Sequence, residues 1–265
     1  MKRTLKLVLY YFGYQLAFTI VASVISVVLA HLGMVDKDVA ILNATAIALL
    51  LSGIMMGWHL IHFKYITFGW KSFGEVPAKS LWLSIPFILA SMVFINLCSE
   101  FIDLPNWMEN DFFAMSRNLF GILSVAVMAP VVEEFLFRGA IEGHLLRQGK
   151  KPWAAIFISA LVFGLIHINP AQVPFAFAIG LVFGWLYYRT GSMVPGILGH
   201  FINNSIACIQ MATLSKEELH TKTADMIGQE ATFALFLASF IVMAGLFLYM
   251  KKHLPKAPEY KEEII

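Results

Sequence analysis

Eight apolar stretches of membrane-crossing length run through the chain, at about 7–31, 39–62, 80–102, 116–146, 152–168, 172–189, 192–213 and 231–250. A helix needs roughly 20 apolar residues to cross a hydrocarbon core about 30 Å thick. No water reaches that core, so backbone N–H and C=O groups must pair within each segment, and helices follow. Composition agrees: 59% of the 265 residues are apolar and 14% charged, against roughly 45–50% and about 25% in soluble domains. Such a chain is too apolar to dissolve as a monomer, and disorder, a coiled coil or nucleic-acid binding is excluded as its main character. The expectation is an all-α polytopic membrane protein, a bundle of about eight transmembrane helices forming a single membrane domain over 1–265. The lipid bilayer is its surroundings, and no nucleic acid is a partner.

Basic residues set the orientation. With eight spans both termini share one side. That side collects fourteen Lys and Arg, including Lys2, Arg3, Lys6, Lys64, Lys71, Lys79, Arg147, Lys150, Lys151, Arg189 and the tail lysines Lys251, Lys252, Lys256 and Lys261. The other side holds Lys37, Arg117, Lys216 and Lys222. Both termini are therefore expected to be cytoplasmic. The start Met1-Lys2-Arg3 resembles a signal peptide, but the apolar run after it exceeds the 7–15 residues of a cleaved signal and reads as a retained helix. Residues 254–265 form a polar tail expected to fray, and 215–230 a polar outer loop with room for a short surface helix. Cys98 and Cys208 sit in apolar runs and read as small buried hydrophobes.

Ionisable groups inside a span cost at least ~2.5–3.5 kcal/mol at a helix centre and so mark function. Here they concentrate in the second half, in APVVEEFLFRGAIEGH, FGLIHINP and GHFINN, whereas the first, third and eighth spans carry almost nothing comparable. Glu134 and Arg138 are four apart and share a face, which suits a structural ion pair as well as a functional one. Glu133 is turned about 100° away and has no cation three or four residues off, so it needs water, a histidine or a metal to justify it. Glu142 and His144 lie nearer the basic end, where polar side chains snorkel. His200 and Asn204 are at i, i+4, with Asn203 close to that face; interhelical hydrogen bonding would explain them equally well. Counted at ~1.5 Å per residue from the basic end, Glu133, His167 and Asn204 lie about 21, 22 and 18 Å deep, with His200 at about 12 Å.

No HExxH or GxSxG motif occurs, which removes a thermolysin-like zinc helix and a serine elbow. A glutamate with a histidine can activate water, and a second histidine with an asparagine amide can donate to an oxyanion. Alternatively Glu133, His167 and His200 could hold a divalent metal such as zinc. Either route hydrolyses an amide.

Together the motifs resemble a known family. EEFLFR at Glu133–Arg138, FGLIH at Phe163–His167 and HFINN at His200–Asn204 are similar, in order and spacing, to the EExxxR, FxxxH and HxxxN motifs of the CPBP intramembrane proteases. That family includes type II CAAX prenyl endopeptidases and bacteriocin-processing or self-immunity (Abi) proteins. The resemblance covers about 116–210. It implies that Glu133 and His167 orient and activate the attacking water, that His200 and Asn204 form the oxyanion site, and that Glu134, Arg138 and Asn203 support them, with Phe163 as a wall. The implied mechanism needs no metal strictly, although zinc is the alternative. The implied substrate is a membrane-associated or lipidated protein or peptide, and the implied location a bacterial cytoplasmic membrane. A non-catalytic scaffold or self-immunity partner on the same fold, and a proton-relaying transporter, are the rival readings. The absence of paired broken helices in two halves speaks against the transporter.

Overall fold

The computed structural model describes residues 2–66, 76, 78–255 and 257–260. Lys71, Lys256 and Lys261, which enter the charge asymmetry, lie outside the described residues. Among the described residues every regular element is a helix. In chain order these are α1 (Lys2–His31), α2 (Lys37–His62), α3 (Ala78–Ser99), α4 (Glu109–Met115), α5 (Leu119–Arg147), α6 (Pro152–Leu165), α7 (Val173–Thr190), α8 (Val194–Thr213), α9 (Lys216–His220), α10 (Thr223–Ile227) and α11 (Gln229–His253).

Local chemistry sets the ends of these helices. Asp36 caps α2 by accepting from the backbone N–H groups of Asp38 and Val39, and Asn118 caps α5 through Gly121 N–H. Proline occupies the first turn of α6, α7 and α8, where its missing N–H costs nothing. Gly191 ends α7 at φ 68°, a left-handed cap that glycine adopts without strain.

All eight apolar stretches are helical. By length and composition α1, α2, α3, α5 and α11 could each cross a membrane. Helix α6 has 14 residues, about 21 Å at 1.5 Å per residue, and α7 and α8 are diluted by Arg189 and by His200, Asn203, Asn204 and Gln210.

Helix α5 is the hub. It packs against α2, α6, α7 and α8, and residues 132–143 are buried without interruption. The largest fully buried side chains include Arg138, Phe137, Phe163 and Phe183. By contrast α1 buries only Thr4, Leu7 and Ser26, and α11 only Ser239 and Met250. Their exposed leucines, valines and phenylalanines are an aggregation hazard in water and a matched surface in lipid. The polar hub is thus shielded on its flanks by helices that face outward.

Two expectations are corrected. Glu142 is fully buried, so it does not snorkel. Helices α6 and α7 enclose this end of α5, and a Cβ on Gly184 of α7 would lie 2.8 Å from Glu142 Oε2. The described part of the tail does not fray either. Tyr260 Oη donates to the Tyr187 and Tyr188 carbonyls at 2.9 and 3.2 Å, while Arg189 caps the end of α11 through the Leu254 carbonyl at 3.0 Å. The 215–230 loop carries α9, closed by a capping box between Ser215 and Glu218, and α10.

Candidate active site

The site begins inside α5. Two π-helical stretches, Leu123–Met128 and Phe135–Glu142, bracket the α-helical turn Ala129–Glu134. Wide π turns are rare and recur at functional sites, because they re-aim side chains and release carbonyls from the regular ladder. Glu134 and Arg138 still meet, with Arg138 Nη1 2.9 Å from Glu134 Oε1 and both side chains essentially without solvent access. Arg138 Nη2 also donates to the Gly180 carbonyl at 3.1 Å. The guanidinium lies over the Phe163 and Phe183 rings, 4.6 and 5.5 Å from their centroids, where ring quadrupoles favour a cation.

Helix α8 approaches Glu134 at Gly196, where an added Cβ would collide with Glu134 Oε2 and stand 3.1 Å from its Cδ. Gly196→Ala is therefore expected to force α5 and α8 apart and destabilise the protein by about 1–3 kcal/mol, the usual cost of overpacking. Thermal unfolding in detergent measures this; an unchanged midpoint would mean that the gap opens freely.

The same approach brings His200 to both carboxylates. Its Nδ1 is 3.4 Å from Glu134 Oε1 and its Nε2 is 3.8 Å from Glu133 Oε2. Phe163 meets the imidazole edge-on at 5.6 Å and Phe183 stacks on it at 5.8 Å. Glu133 Oε1 accepts a hydrogen bond from Tyr11 Oη at 3.1 Å.

His167 follows the last turn of α6. Its Nδ1 is 2.8 Å from the Phe163 carbonyl. A carbonyl only accepts, so Nδ1 carries the proton, and in the neutral ring Nε2 is left with a free lone pair. The next residue, Ile168, has φ 58°, a strained value for a β-branched side chain and of the kind that gathers at functional sites. Asn169 holds the turn: its Oδ1 accepts from Trp107 N–H at 3.0 Å and its Nδ2 donates to Asn106 Oδ1 at 2.8 Å. On α8, Asn204 Nδ2 donates to the Val125 carbonyl at 2.8 Å, within the first π-helical stretch, and Asn203 donates to Asn204 Oδ1 at 3.1 Å. One Asn204 N–H is thereby anchored, and the amide has a second.

Glu133, His167, His200, Asn203 and Asn204 all line one cavity of about 360 Å³. Tyr11, Phe12 and Gln15 of α1 form part of its wall, and it extends toward Met108, Phe112 and Met211, away from Arg147. Glu134 and Arg138 lie behind that surface. Phe163 is not a wall of the cavity as expected: it is buried between Arg138, His167 and His200 and touches all three.

Residues 115–206 match the family model of Rce1-like type II CAAX prenyl endopeptidases. The match covers the three motifs together with α5, α6, α7 and most of α8. Two curated relatives agree. A protein provisionally named as a membrane peptidase, YdiL of Bacillus subtilis (strain 168), is 27% identical over 40% of this chain and 43% of its own length. The membrane-embedded CAAX protease MroQ of Staphylococcus aureus (strain USA300) is 30% identical over 33% of this chain and 38% of its own. The chain thus spans less than half the length of either. No solved structure matches it. The apolar helices and both relatives agree on an integral membrane protein.

Among the described residues no group of three His, Cys, Asp or Glu side chains is close enough to hold a metal ion. The trio Glu133, His167 and His200 is therefore not drawn together as a ligand set, although Glu133 and His200 face each other and His167 keeps a lone pair on Nε2. Sequence reasoning missed Tyr11, the π turns and the strained Ile168. The available clue was Tyr11 with Gln15, an i, i+4 pair that includes the one amide side chain of α1.

Proposed function

We propose that the protein is an intramembrane endopeptidase that hydrolyses a peptide bond in a membrane-associated or lipidated protein or peptide. The observation that carries this reading is the shared cavity. An acid–base glutamate, a histidine with a defined tautomer, a second histidine and an asparagine amide line one space with room for a water and a peptide group. The names of the matched family and of MroQ favour a substrate ending in a CAAX sequence.

In this mechanism Glu133, with His167 Nε2, holds a water and takes its proton as the oxygen attacks the scissile carbonyl. His200 and the free N–H of Asn204 donate to the oxyanion that forms. The C–N bond then breaks, and the departing amine takes the proton from Glu133. Water is consumed, and a carboxylic acid and an amine are released. Glu134 orients His200, and Arg138 balances the charge of Glu134.

Eight crossings with both termini cytoplasmic, in a bacterial cytoplasmic membrane, complete the proposal. Eight helices at the expected positions and the asymmetry of Lys and Arg support them. Labelling of single cysteines placed at Lys37 and Lys150 with a membrane-impermeant reagent tests the topology, and equal labelling from one side would refute it.

The activity is tested with purified protein in detergent on a fluorescence-quenched peptide ending in a farnesylated CAAX sequence. Cleavage is expected to survive strong chelation. Asn204→Ala should lose about 10²–10³-fold in kcat, the usual cost of one oxyanion donor. Full activity in Asn204→Ala would remove it from the oxyanion site, and chelation that abolishes cleavage, restored by zinc, would replace the glutamate route with a metal route.

A further inference from the structure

The matched segment does not contain everything that touches Glu133. Among the described residues the Glu133 carboxylate accepts one hydrogen bond, and it comes from Tyr11 of α1, 122 positions away in sequence. The contact is half-buried, and Glu133 itself is 7% exposed. Gln15, one turn further along α1, stands beside Tyr11 on the same cavity wall, so Gln15, Tyr11 and Glu133 form a polar line across it. All three side chains line the cavity, as does Phe12.

We infer that Tyr11 is a positioning residue for the hydrolytic glutamate, supplied by a helix outside the matched segment. The inference rests on the reading of Glu133 as the group that activates water. A carboxylate has two oxygens and a freely turning χ3. Tyr11 pins Oε1, which fixes Oε2 beside His200 Nε2 at 3.8 Å and leaves it as the oxygen that holds the attacking water. Oε2 is buried and, among the described residues, has no hydrogen-bond partner of its own, so its lone pairs remain available for a bound water. Without the phenol the carboxylate rotates, and the proton-accepting oxygen is no longer fixed. Effective catalysis requires reacting atoms held at near-attack distance.

The same geometry makes α1 part of the active site. It packs chiefly on α2 and touches α5 lightly, so the group that fixes Glu133 sits on one of the least embedded helices of the bundle. A substrate that displaces α1 on entry would also move the anchor of the glutamate.

The test compares wild type, Tyr11→Phe, Tyr10→Phe and Glu133→Gln on the farnesylated CAAX peptide, with an infrared spectrum of each. Tyr11→Phe keeps the ring and removes only the hydroxyl. It should lower kcat about 10- to 100-fold, as loss of a hydrogen bond to a charged group does, while KM and the thermal midpoint stay near wild type. Tyr10→Phe, on the same helix and without contact to Glu133, should match wild type. The carboxyl band assigned by its absence in Glu133→Gln should shift in Tyr11→Phe and not in Tyr10→Phe. Wild-type kcat in Tyr11→Phe, or an unshifted band, overturns the inference. Wild-type activity in Glu133→Gln overturns the reading of Glu133 instead, whatever Tyr11→Phe does. If the wild type leaves this peptide intact, the substrate proposal falls, and the band alone decides whether Tyr11 holds Glu133.

Discussion

Glu133→Gln is expected to lower kcat by about 10²–10⁴-fold, the range that a positioned general base supplies, with little change in thermal stability. Glutamine keeps the shape of the side chain and can still accept from Tyr11 Oη, now 3.1 Å from Glu133 Oε1. What it cannot do is take a proton from water. Stability should hold because Glu133 is buried and, among the described residues, is paired with no lysine or arginine; the basic group recorded against it is His200 at 3.8 Å. Replacing a poorly compensated buried charge by a neutral isostere is commonly neutral or stabilising. The measurement is peptide cleavage by wild type and variant at equal concentration, alongside thermal unfolding in the same detergent. Turnover at the wild-type rate would turn the cavity into a binding site and favour the scaffold reading. A large loss of stability would mean that Glu133 supports the fold.

The reasoning that singled out Glu133 in the sequence concerned cost. A carboxylate in a span without a cation on its face has to be paired by something on another helix, and the structure supplies Tyr11 and His200. The same reasoning linked Glu134 to Arg138, since a four-residue spacing survives the π-helical stretch that begins at Phe135. It also grouped His167, His200 and Asn204, all of which line the cavity with Glu133.

Other features had no local signature. The π turns arise where α5 is packed on several sides, and nothing in LSVAVM or FLFRGAIE marks them. Tyr11 carries no comparable mark, because tyrosine is common in membrane helices near the interface. Depth along a helix also misled. Glu142 is near the basic end of α5, yet neighbouring helices cover that end, so distance from a terminus did not report exposure. Phe163 has the apolar character of a cavity wall but instead sits against Arg138, His167 and His200. A pattern of residues gives their faces, and the packing of other helices decides what those faces meet.

Arg138→Ala is expected to harm folding and activity together. The guanidinium is 1% exposed and serves four partners at once: Glu134 Oε1 at 2.9 Å, the Gly180 carbonyl at 3.1 Å and the faces of Phe163 and Phe183. Truncation leaves Glu134 buried without its cation, which costs on the order of 3–5 kcal/mol, and opens a void among Phe163, Phe183 and Glu134. Arg138→Lys should recover only part of this, because one ammonium cannot reproduce the planar fork that meets Glu134 and the Gly180 carbonyl together. The double variant Glu134→Gln/Arg138→Met separates the two roles. It removes both charges and refills the volume, so stability should return toward wild type. Activity should not return, because His200 Nδ1, 3.4 Å from Glu134 Oε1, would then face a neutral amide. Thermal midpoints and kcat for the four proteins decide the matter. If the double variant recovers both, the pair is structural and His200 needs no charged partner. If Arg138→Ala matches wild type in both, the pair contributes to neither, and the support assigned to Glu134 and Arg138 behind the cavity is wrong.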